Sequence, residues 1–313
     1  MKSKLSTILR VVVAVVSLAF IAFKIHEQVR AGVQADFAVV DISPLVAAVL
    51  LMPFNWLTEA AKWRVLTANL QPLSAWQALK SVLSGLAVSM LTPNRVGDFA
   101  GRIALLEPEN RSAGTMSSFV GAYAQMLAIA VFGVVAFGTG WSVLPDFLLW
   151  TASCRALVMV VLLVASALLV GIYFFGGRAA SRFSFGRWPW FEKFVRAAGQ
   201  HSPGQLAAAL CLSLLRSAVF MLQFGLVLAS TGLHLTFATA FCAVSLMYCF
   251  VSVIPSFALV EWGVRGSMAL LFIMPIGGQP AQIVTATAVV WLMNVAFPAA
   301  VGALLLFLPT HRH

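Results

Sequence analysis

Two segments of this chain place an acid and an arginine one helical turn apart, shortly after a proline. The first runs over 93–98 as Pro-Asn-Arg-Val-Gly-Asp, and an arginine follows its acid after four residues. The second begins at Pro255 and ends with a glutamate and an arginine at the same spacing. Residues at i and i+4 share a helix face, and guanidinium groups bind phosphate oxygens through paired hydrogen bonds. The pattern indicates anion binding, and its candidate residues are Arg95, Asp98, Arg102, Glu261 and Arg265.

A further arginine lies in the middle of an apolar segment. Arg216 follows Gln205 by eleven residues and precedes Ser230 by fourteen. A charge at the centre of a bilayer costs at least about 2.5–3.5 kcal/mol, so it should face a partner or a polar cavity. We expect Glu59, in another apolar segment, to be that partner and to join the anion site. A salt bridge with a purely structural role is the alternative, and the sequence leaves it open.

Each proline break should begin a new half-helix inside the protein. Asn94 and Ser256 are residue types that cap helix N-termini. The amide groups at such an end carry partial positive charge and bind anions. Together with the arginines they would form a phosphate-binding environment. The alternative is that the acid–arginine pairs are ordinary helical ion pairs near a membrane interface.

Other chemistry finds little support in the sequence. No group of histidines, cysteines and carboxylates has the spacing of a metal site, and no glycine-rich loop ends in Gly-Lys-Ser/Thr. All four cysteines lie in apolar segments and are interpreted as small hydrophobic residues rather than disulfide partners. We therefore expect no catalytic residue, no metal and no cofactor.

The elements that must position these residues are membrane helices. Apolar residues make up 61% of the chain and charged residues only 10%, far from the balance of a soluble domain. Several apolar stretches are long enough to cross a bilayer. The sequence predicts an all-α polytopic membrane protein that forms a single integral membrane domain over 1–313. Its net charge of +10 indicates contact with membrane lipids, and we expect no nucleic-acid partner.

The distribution of basic residues selects between two topologies. Residues 2–10 are basic and place the N-terminus in the cytoplasm, and Lys62 would lie on the same side after the second segment. The basic loop 176–203 reaches the cytoplasm only if 78–106 enters the membrane and leaves on the side from which it came. We therefore predict about six spanning helices plus two opposed re-entrant helical hairpins, or about eight hydrophobic segments if each is counted as a span.

The same topology gives an inverted-repeat architecture. The first repeat core covers 42–112 with its break at Pro93, and the second covers 204–273 with its break at Pro255. The second hairpin then enters from the outer side, and the last helix returns the C-terminus to the cytoplasm. Paired broken helices at matching positions of two halves are the best sequence pointer to the binding site of a transporter.

At these breaks the chain resembles the integral-membrane flippase region of lysylphosphatidylglycerol synthetases, a family that includes many stand-alone membrane proteins. The similar residues are 93–98 with Arg102, then 254–255 with 261–265, and on the second helix Asn55-Trp56, Glu59 and Trp63-Arg64. The resemblance follows the order of segments over nearly the whole chain.

The chain departs from that family at two points. At the second break, 257–260 contains no glycine and Gly266 follows Arg265, where the family usually has a glycine-rich stretch and an acid. This departure affects the role of Glu261. The aminoacyl-transfer domain of the full synthetase has no counterpart, so we expect a stand-alone member that does not make aminoacylated lipid.

The resemblance implies a lipid translocase rather than an enzyme, in the bacterial cytoplasmic membrane. The implied cargo is a phospholipid or a polyprenyl-phosphate-linked lipid, whereas the residues by themselves indicate only an anionic headgroup. The expected partners are this anionic lipid, the surrounding membrane lipids, and either a second copy of the chain or a separate lipid-modifying enzyme. The alternatives are an integral-membrane enzyme acting on lipid-linked sugars, a non-transporting subunit of an envelope-assembly complex, and a carrier of small anions.

Overall fold

The computed structural model describes residues 19, 39–92, 96–140, 151–180, 182, 199–253 and 258–307, and for 152, 180, 258–262 and 307 it describes the backbone only. Every regular element in this part of the chain is a helix. In chain order the helices are α1 (Ile42–Leu50), α2 (Met52–Thr67), α3 (Ala75–Ser89), α4 (Gly97–Ile103), α5 (Arg111–Thr139), α6 (Ala152–Gly171), α7 (Gly177–Ala180), α8 (Pro203–Ser230), α9 (Phe237–Val253), α10 (Ala258–Ile273), α11 (Pro280–Trp291) and α12 (Phe297–Phe307). Single 3-10 turns at Pro108–Asn110 and Met274–Ile276 flank α5 and α10, and π-helical segments at Ile172–Gly176 and Leu292–Ala296 join α6 to α7 and α11 to α12.

Several continuous helical stretches are long and apolar enough to cross a membrane. Within the described residues there are five: Ile42–Thr67, Pro108–Thr139, Ser153–Ala179, Pro203–Ser230 and Pro280–Leu306. Shorter apolar helices accompany them, and together they confirm the prediction of an all-α polytopic membrane protein. The N-terminal apolar segment 5–23 lies, apart from residue 19, outside the described residues.

Hydrogen bonds between helix ends define one end of the bundle. Asn69 Nδ2 donates to Gln205 Oε1 at 3.2 Å, and the amide of Glu107 donates to Gln71 Oε1 at 3.0 Å. Gln205 also forms a capping box with Ser202, which begins α8. The end of α2, the start of α3, the segment after α4 and the start of α8 therefore lie together.

A second set of contacts defines the opposite end. The amide of Val40 donates to Ser230 O at 2.8 Å, and Gln282 Nε2 donates to Thr231 O at 2.9 Å. The starts of α1 and α11 therefore lie beside the end of α8. Because α8 runs the length of the bundle, it separates the two ends.

Two pairs of short helices form hairpins that open at these opposite ends. Helices α3 and α4 pack against each other, and both of their outer termini lie at the end marked by Gln205. Helices α9 and α10 also pack together, and their outer termini connect to Thr231 and to α11 at the other end. This arrangement is that of the predicted opposed hairpins. The turns at 93–95 and 254–257, with the predicted capping residues, lie outside the described residues.

Glycines allow the first hairpin to close tightly. A Cβ atom on Gly101 would lie 2.5 Å from the Cα atom of Gly85, so neither position has space for a side chain. Ser81 Oγ donates to the carbonyl oxygen of Arg102 at 2.7 Å across the same interface. The close approach of α3 and α4 fixes the position of Asp98 and Arg102 against the rest of the bundle.

The largest buried apolar cluster fills the space among α8, α9, α10 and α11. Its largest side chains include Phe224, Met247, Phe272 and Ile283, all essentially inaccessible to solvent. Close packing of such side chains stabilises the association of these helices through van der Waals contacts. This core holds α8, and with it Arg216, against the second hairpin.

Candidate functional site

A buried carboxylate, Glu59 of α2, lies between three cationic side chains. Its Oε1 atom accepts a hydrogen bond from Arg102 NH1 at 2.7 Å. Its Oε2 atom lies 2.8 Å from Lys62 Nζ and 3.0 Å from Arg216 NH1, at ion-pair distances. The Glu59 side chain is only 5% exposed. A buried charge is tolerated when it is paired. Because Arg102 belongs to α4 and Arg216 to α8, this one carboxylate of α2 connects three helices.

Arg102 finds its partners inside the protein. Its Nε atom donates to Asp98 Oδ1 at 3.0 Å, and its NH2 atom lies 2.8 Å from Asp98 Oδ2. This two-point contact between a guanidinium and a carboxylate is the strongest form of such a pair. The guanidinium also lies 6.0 Å from the ring centre of Trp63. All three nitrogens of Arg102 face a carboxylate, which makes it a fixed element of the site.

Arg216 is held by neutral groups and is more open. Its Nε atom donates to Asn55 Oδ1 at 2.8 Å, and its NH1 atom donates to Gln125 Oε1 at 3.3 Å. The guanidinium lies 5.0 Å from the ring centre of Phe220. Its side chain is 24% exposed, against 12% for Arg102. Among the described residues its NH2 nitrogen has no hydrogen-bond partner, so Arg216 is the cation that a ligand can reach.

Neutral side chains extend this arrangement across α5 and α8. Gln125 Nε2 donates to Ser217 Oγ at 2.7 Å, and Lys62 Nζ donates to Ser213 Oγ at 3.3 Å. These contacts orient the amide that faces Arg216 and the ammonium that faces Glu59.

The last span contributes an amide from an irregular turn. Asn55 Nδ2 donates to Asn294 Oδ1 at 3.1 Å, and Asn294 Nδ2 donates to Val290 O at 3.3 Å. Asn294 lies in the π-helical segment Leu292–Ala296. Such segments insert a residue into an α-helix and are frequent at functional sites. The segment lets Asn294 support Asn55, which in turn supports Arg216.

The charges of the described residues at this site do not cancel. We define the charge cluster as Glu59, Lys62, Asp98, Arg102 and Arg216. Three cations face two carboxylates, which leaves one positive charge in excess. An uncompensated charge is unfavourable in a partly buried, low-dielectric environment. The charge cluster is therefore suited to accepting one negative charge from a ligand.

The structure brings together four of the seven predicted site residues: Glu59, Asp98, Arg102 and Arg216. Glu59 is a partner of Arg216, as the sequence predicts. Arg265 lies beside Tyr248, with its guanidinium 6.0 Å from the ring centre. The Tyr248 ring lies 6.3 Å from that of Phe220, which also contacts Arg216.

Two predicted site residues cannot be placed. Arg95 and the side chain of Glu261 lie outside the described part of the chain. Their proposed roles in anion binding stay predictions.

The amide at the start of α4 is already occupied. The Gly97 amide donates to Thr92 Oγ1 at 2.7 Å, and α4 is only seven residues long. The expectation that this half-helix holds an anion through its amides therefore finds no support at Gly97.

Three contributors to the site are missed or misplaced by sequence reasoning. Lys62 is 2% exposed and lies inside the bundle rather than at an aqueous surface, because its ammonium pairs with Glu59 one turn earlier. Its i,i+3 spacing from Glu59 is a signal for that pairing. Gln125 and Asn294 are isolated polar residues within long apolar segments, and such residues commonly face the interior of a helical bundle.

The charge cluster lies within a region that matches a known protein family. The family model described as Lysylphosphatidylglycerol synthase TM region matches residues 7–302. The chain belongs to this family. The match includes every residue of the charge cluster and both hairpins, and it confirms the resemblance found at the two proline breaks. A search of curated proteins matched none of them. Family membership makes this chain a multi-pass membrane protein of lipid metabolism or translocation.

Proposed function

We propose that this chain is a lipid translocase of the bacterial cytoplasmic membrane. It moves an anionic phospholipid or a polyprenyl-phosphate-linked lipid across the bilayer, and Arg216 holds the headgroup during passage. The observation that carries this proposal is the buried charge cluster, which has one positive charge in excess and Arg216 as its accessible cation.

The physical reason lies in the cost of moving a charged headgroup through hydrocarbon. That cost is several kcal/mol or more when the headgroup has no partner. A guanidinium lowers it because it offers paired N–H groups to phosphate oxygens. Arg102 is fully engaged by Asp98 and Glu59, so its part is to keep the shape of the site.

The surroundings of Arg216 favour a lipid over a small anion. Leu212 and Phe220 lie one turn on either side of Arg216 on α8, and both are partly exposed. An apolar surface beside the cation can accommodate acyl chains, whereas a carrier of small anions has no use for it. Membership of the lysylphosphatidylglycerol synthase TM region family also favours a lipid.

The position of the charge cluster fits a transporter built from two repeats. In this proposal 1–313 is one membrane domain with repeat cores at 42–112 and 204–273. The ion pair between Glu59 and Arg216 joins the first core to the second. Transporter sites commonly lie where such repeats meet. Both termini and the loop 176–203 then face the cytoplasm.

The proposal involves no chemical change to the lipid. A separate lipid-modifying enzyme, or a second copy of this chain, is the protein partner that we propose. Product formation from a sugar-nucleotide donor would instead support an enzyme that acts on lipid-linked sugars.

Reconstitution of the purified chain into vesicles tests the proposal. Vesicles containing phosphatidylglycerol with a fluorescent acyl chain are treated with an external quencher, and the second phase of quenching reports translocation. We expect Arg216→Ala to slow this phase by about tenfold or more, because a charge-assisted hydrogen bond is lost. Arg64→Ala is a matched control, since Arg64 is an exposed arginine whose Nε atom donates to Leu73 O. Equal rates in the wild type and Arg216→Ala would contradict the proposal.

A further inference from the structure

We infer that Glu59 is a built-in competitor for the headgroup: a singly charged phosphodiester that binds NH2 and NH1 of Arg216 together takes the place on NH1 that Glu59 Oε2 occupies. This inference rests on the proposed function and adds the charge class of the lipid and the means of its release. Three observations on the charge cluster support it.

The first observation is that Glu59 can leave Arg216 without becoming unpaired. Its Oε1 atom keeps Arg102 at 2.7 Å, and its Oε2 atom keeps Lys62 at 2.8 Å. The contact with Arg216 is the longest of the three, at 3.0 Å. Exchange of this one contact for a ligand therefore leaves the buried carboxylate with two cations.

The second observation is that Arg216 remains in place when Glu59 leaves it. Asn55 and Gln125 hold its Nε and NH1 atoms through neutral oxygens. Neutral amides fix the direction of the guanidinium without cancelling its charge. Arg102 differs, because Asp98 neutralises it through two contacts and lies on the same helix.

The third observation is the excess of one positive charge. A phosphodiester carries a single negative charge and would bring the charge cluster to neutrality. A phosphomonoester with two negative charges would leave an excess of the opposite sign, which is unfavourable in a partly buried site. The charge count therefore favours a diester headgroup such as that of phosphatidylglycerol.

Competition has a consequence for release. While the phosphate is bound, Glu59 stays within reach of Arg216 and can take back the contact as the lipid moves on. A ligand that is bound more tightly in its resting state leaves more slowly. Removal of the Glu59 charge should therefore raise affinity and slow transport together, whereas loss of a ligand-binding group would lower both.

Binding of dioctanoyl phosphatidylglycerol to the full chain in detergent tests this inference. We expect Glu59→Gln to bind this probe about fivefold more tightly, as expected for removal of one competing ion pair, and to translocate the fluorescent lipid more slowly in vesicles. Asp98→Asn measures the contribution of net charge, because Asp98 carries the same charge in the same cluster but contacts Arg102 and not Arg216. We expect it to tighten binding through the added positive charge, but by less than Glu59→Gln does.

A double variant separates the effect of competition from the effect of net charge. It also tests the inference if Glu59→Gln alone does not fold. Glu59→Gln with Lys62→Met removes one charge of each sign, so the excess of one positive charge is kept. Replacement of a whole buried ion pair by uncharged residues is tolerated better than loss of one partner. We expect this double variant to bind the probe about fivefold more tightly as well.

The outcomes distinguish the inference from the proposed function. Tighter binding by Glu59→Gln and the double variant, with a smaller tightening by Asp98→Asn, supports competition. Equal tightening by Glu59→Gln and Asp98→Asn, with none in the double variant, shows an effect of net charge and overturns it. Weaker binding by both Glu59 variants also overturns the inference. If the wild-type chain transports lipid in that case, the proposed function still stands. A wild type that neither binds the probe nor transports lipid overturns both.

Discussion

The two hairpins carry the same acid–arginine spacing but place their arginines in different surroundings. Arg102 of the first hairpin is enclosed by the carboxylates of Asp98 and Glu59. Arg265 of the second hairpin lies against the ring of Tyr248, at 6.0 Å from its centre. The described neighbours of the two arginines therefore differ: Arg102 contacts a carboxylate of another helix, and Arg265 faces an aromatic ring.

The two hairpins also differ in the space around their glycines. Gly85 and Gly101 form a close contact between α3 and α4, with no space for a side chain. A Cβ atom on Gly263 or Gly266 of α10 would meet no other atom within 4 Å among the described residues. The first hairpin is a tightly packed support for the charge cluster, whereas no described atom packs against Gly263 or Gly266 of α10.

The largest expected effect concerns Arg102. Arg102→Ala should lower the free energy of unfolding by about 3–5 kcal/mol, because Asp98 loses its ion-pair partner and Glu59 loses one of its three. Tyr248→Leu removes the ring that faces Arg265 and should cost about 1 kcal/mol from the cation–ring contact. Unfolding of both variants in mixed micelles measures the difference. Similar losses would show that the Tyr248 ring stabilises the protein as much as the ion pairs of Arg102 do.

Replacement of a glycine by alanine should change the stability by an intermediate amount, with opposite signs in the two hairpins. Gly101→Ala should destabilise the protein by about 1–3 kcal/mol, because the new methyl group overlaps the backbone of Gly85. Gly263→Ala should stabilise it by up to about 1 kcal/mol, since alanine favours a helix and space is available. Thermal unfolding of the two variants provides the measurement, and destabilisation of both would contradict the difference in packing.

A smaller effect, on lipid binding, is expected at the hydrogen bond between Asn294 of the last span and Asn55 of α2. Asn294→Ala removes the support of Asn55 and should weaken binding of dioctanoyl phosphatidylglycerol by about threefold to tenfold, the value of one neutral hydrogen bond. Thr287→Val is a suitable control, because the Thr287 hydroxyl donates only to Ile283 O of its own helix. An equal change in both variants would indicate a general effect on the last span rather than a role for Asn294.

Labelling of single cysteines tests whether the two hairpins enter the membrane from opposite faces. No change in stability is expected from these substitutions. Ala68 and His234 are exposed residues next to the outer ends of the first and second hairpins. In a background without the native cysteines, His234→Cys should react with an impermeant thiol reagent from outside intact cells. Ala68→Cys should react only after the membrane is opened. Labelling of both positions from the same side would contradict entry from opposite faces.

The part of this site that could be predicted follows from the cost of charge in a membrane. Arg216 needs a partner because it lies within an apolar segment, and Glu59 is one of the few carboxylates in a comparable position. Asp98 and Arg102 follow from helical spacing alone. The pairing of α2 with α8, and the class of the fold, could therefore be predicted from residue types and positions.

The other features of the site depend on how the helices pack, which the spacing of residues in the sequence does not show. The positive charge of Lys62 suits a cytoplasmic surface as well as a buried ion pair, and only the packing of α2 decides between them. Gln125 and Asn294 are uncharged, so their cost in an apolar segment is too small to demand a partner. The different surroundings of Arg102 and Arg265 arise from which helices pack against each hairpin.

The π-helical turn around Asn294 allows one span to satisfy two requirements at once. A regular helix through this point would either aim the amide away from Asn55 or rotate the apolar side of α12 away from α3, on which it packs. The extra residue in the wide turn absorbs that angular mismatch. A shortened chain with one residue deleted from this turn could keep α11 and α12 buried as before and still lose its connection to the charged centre.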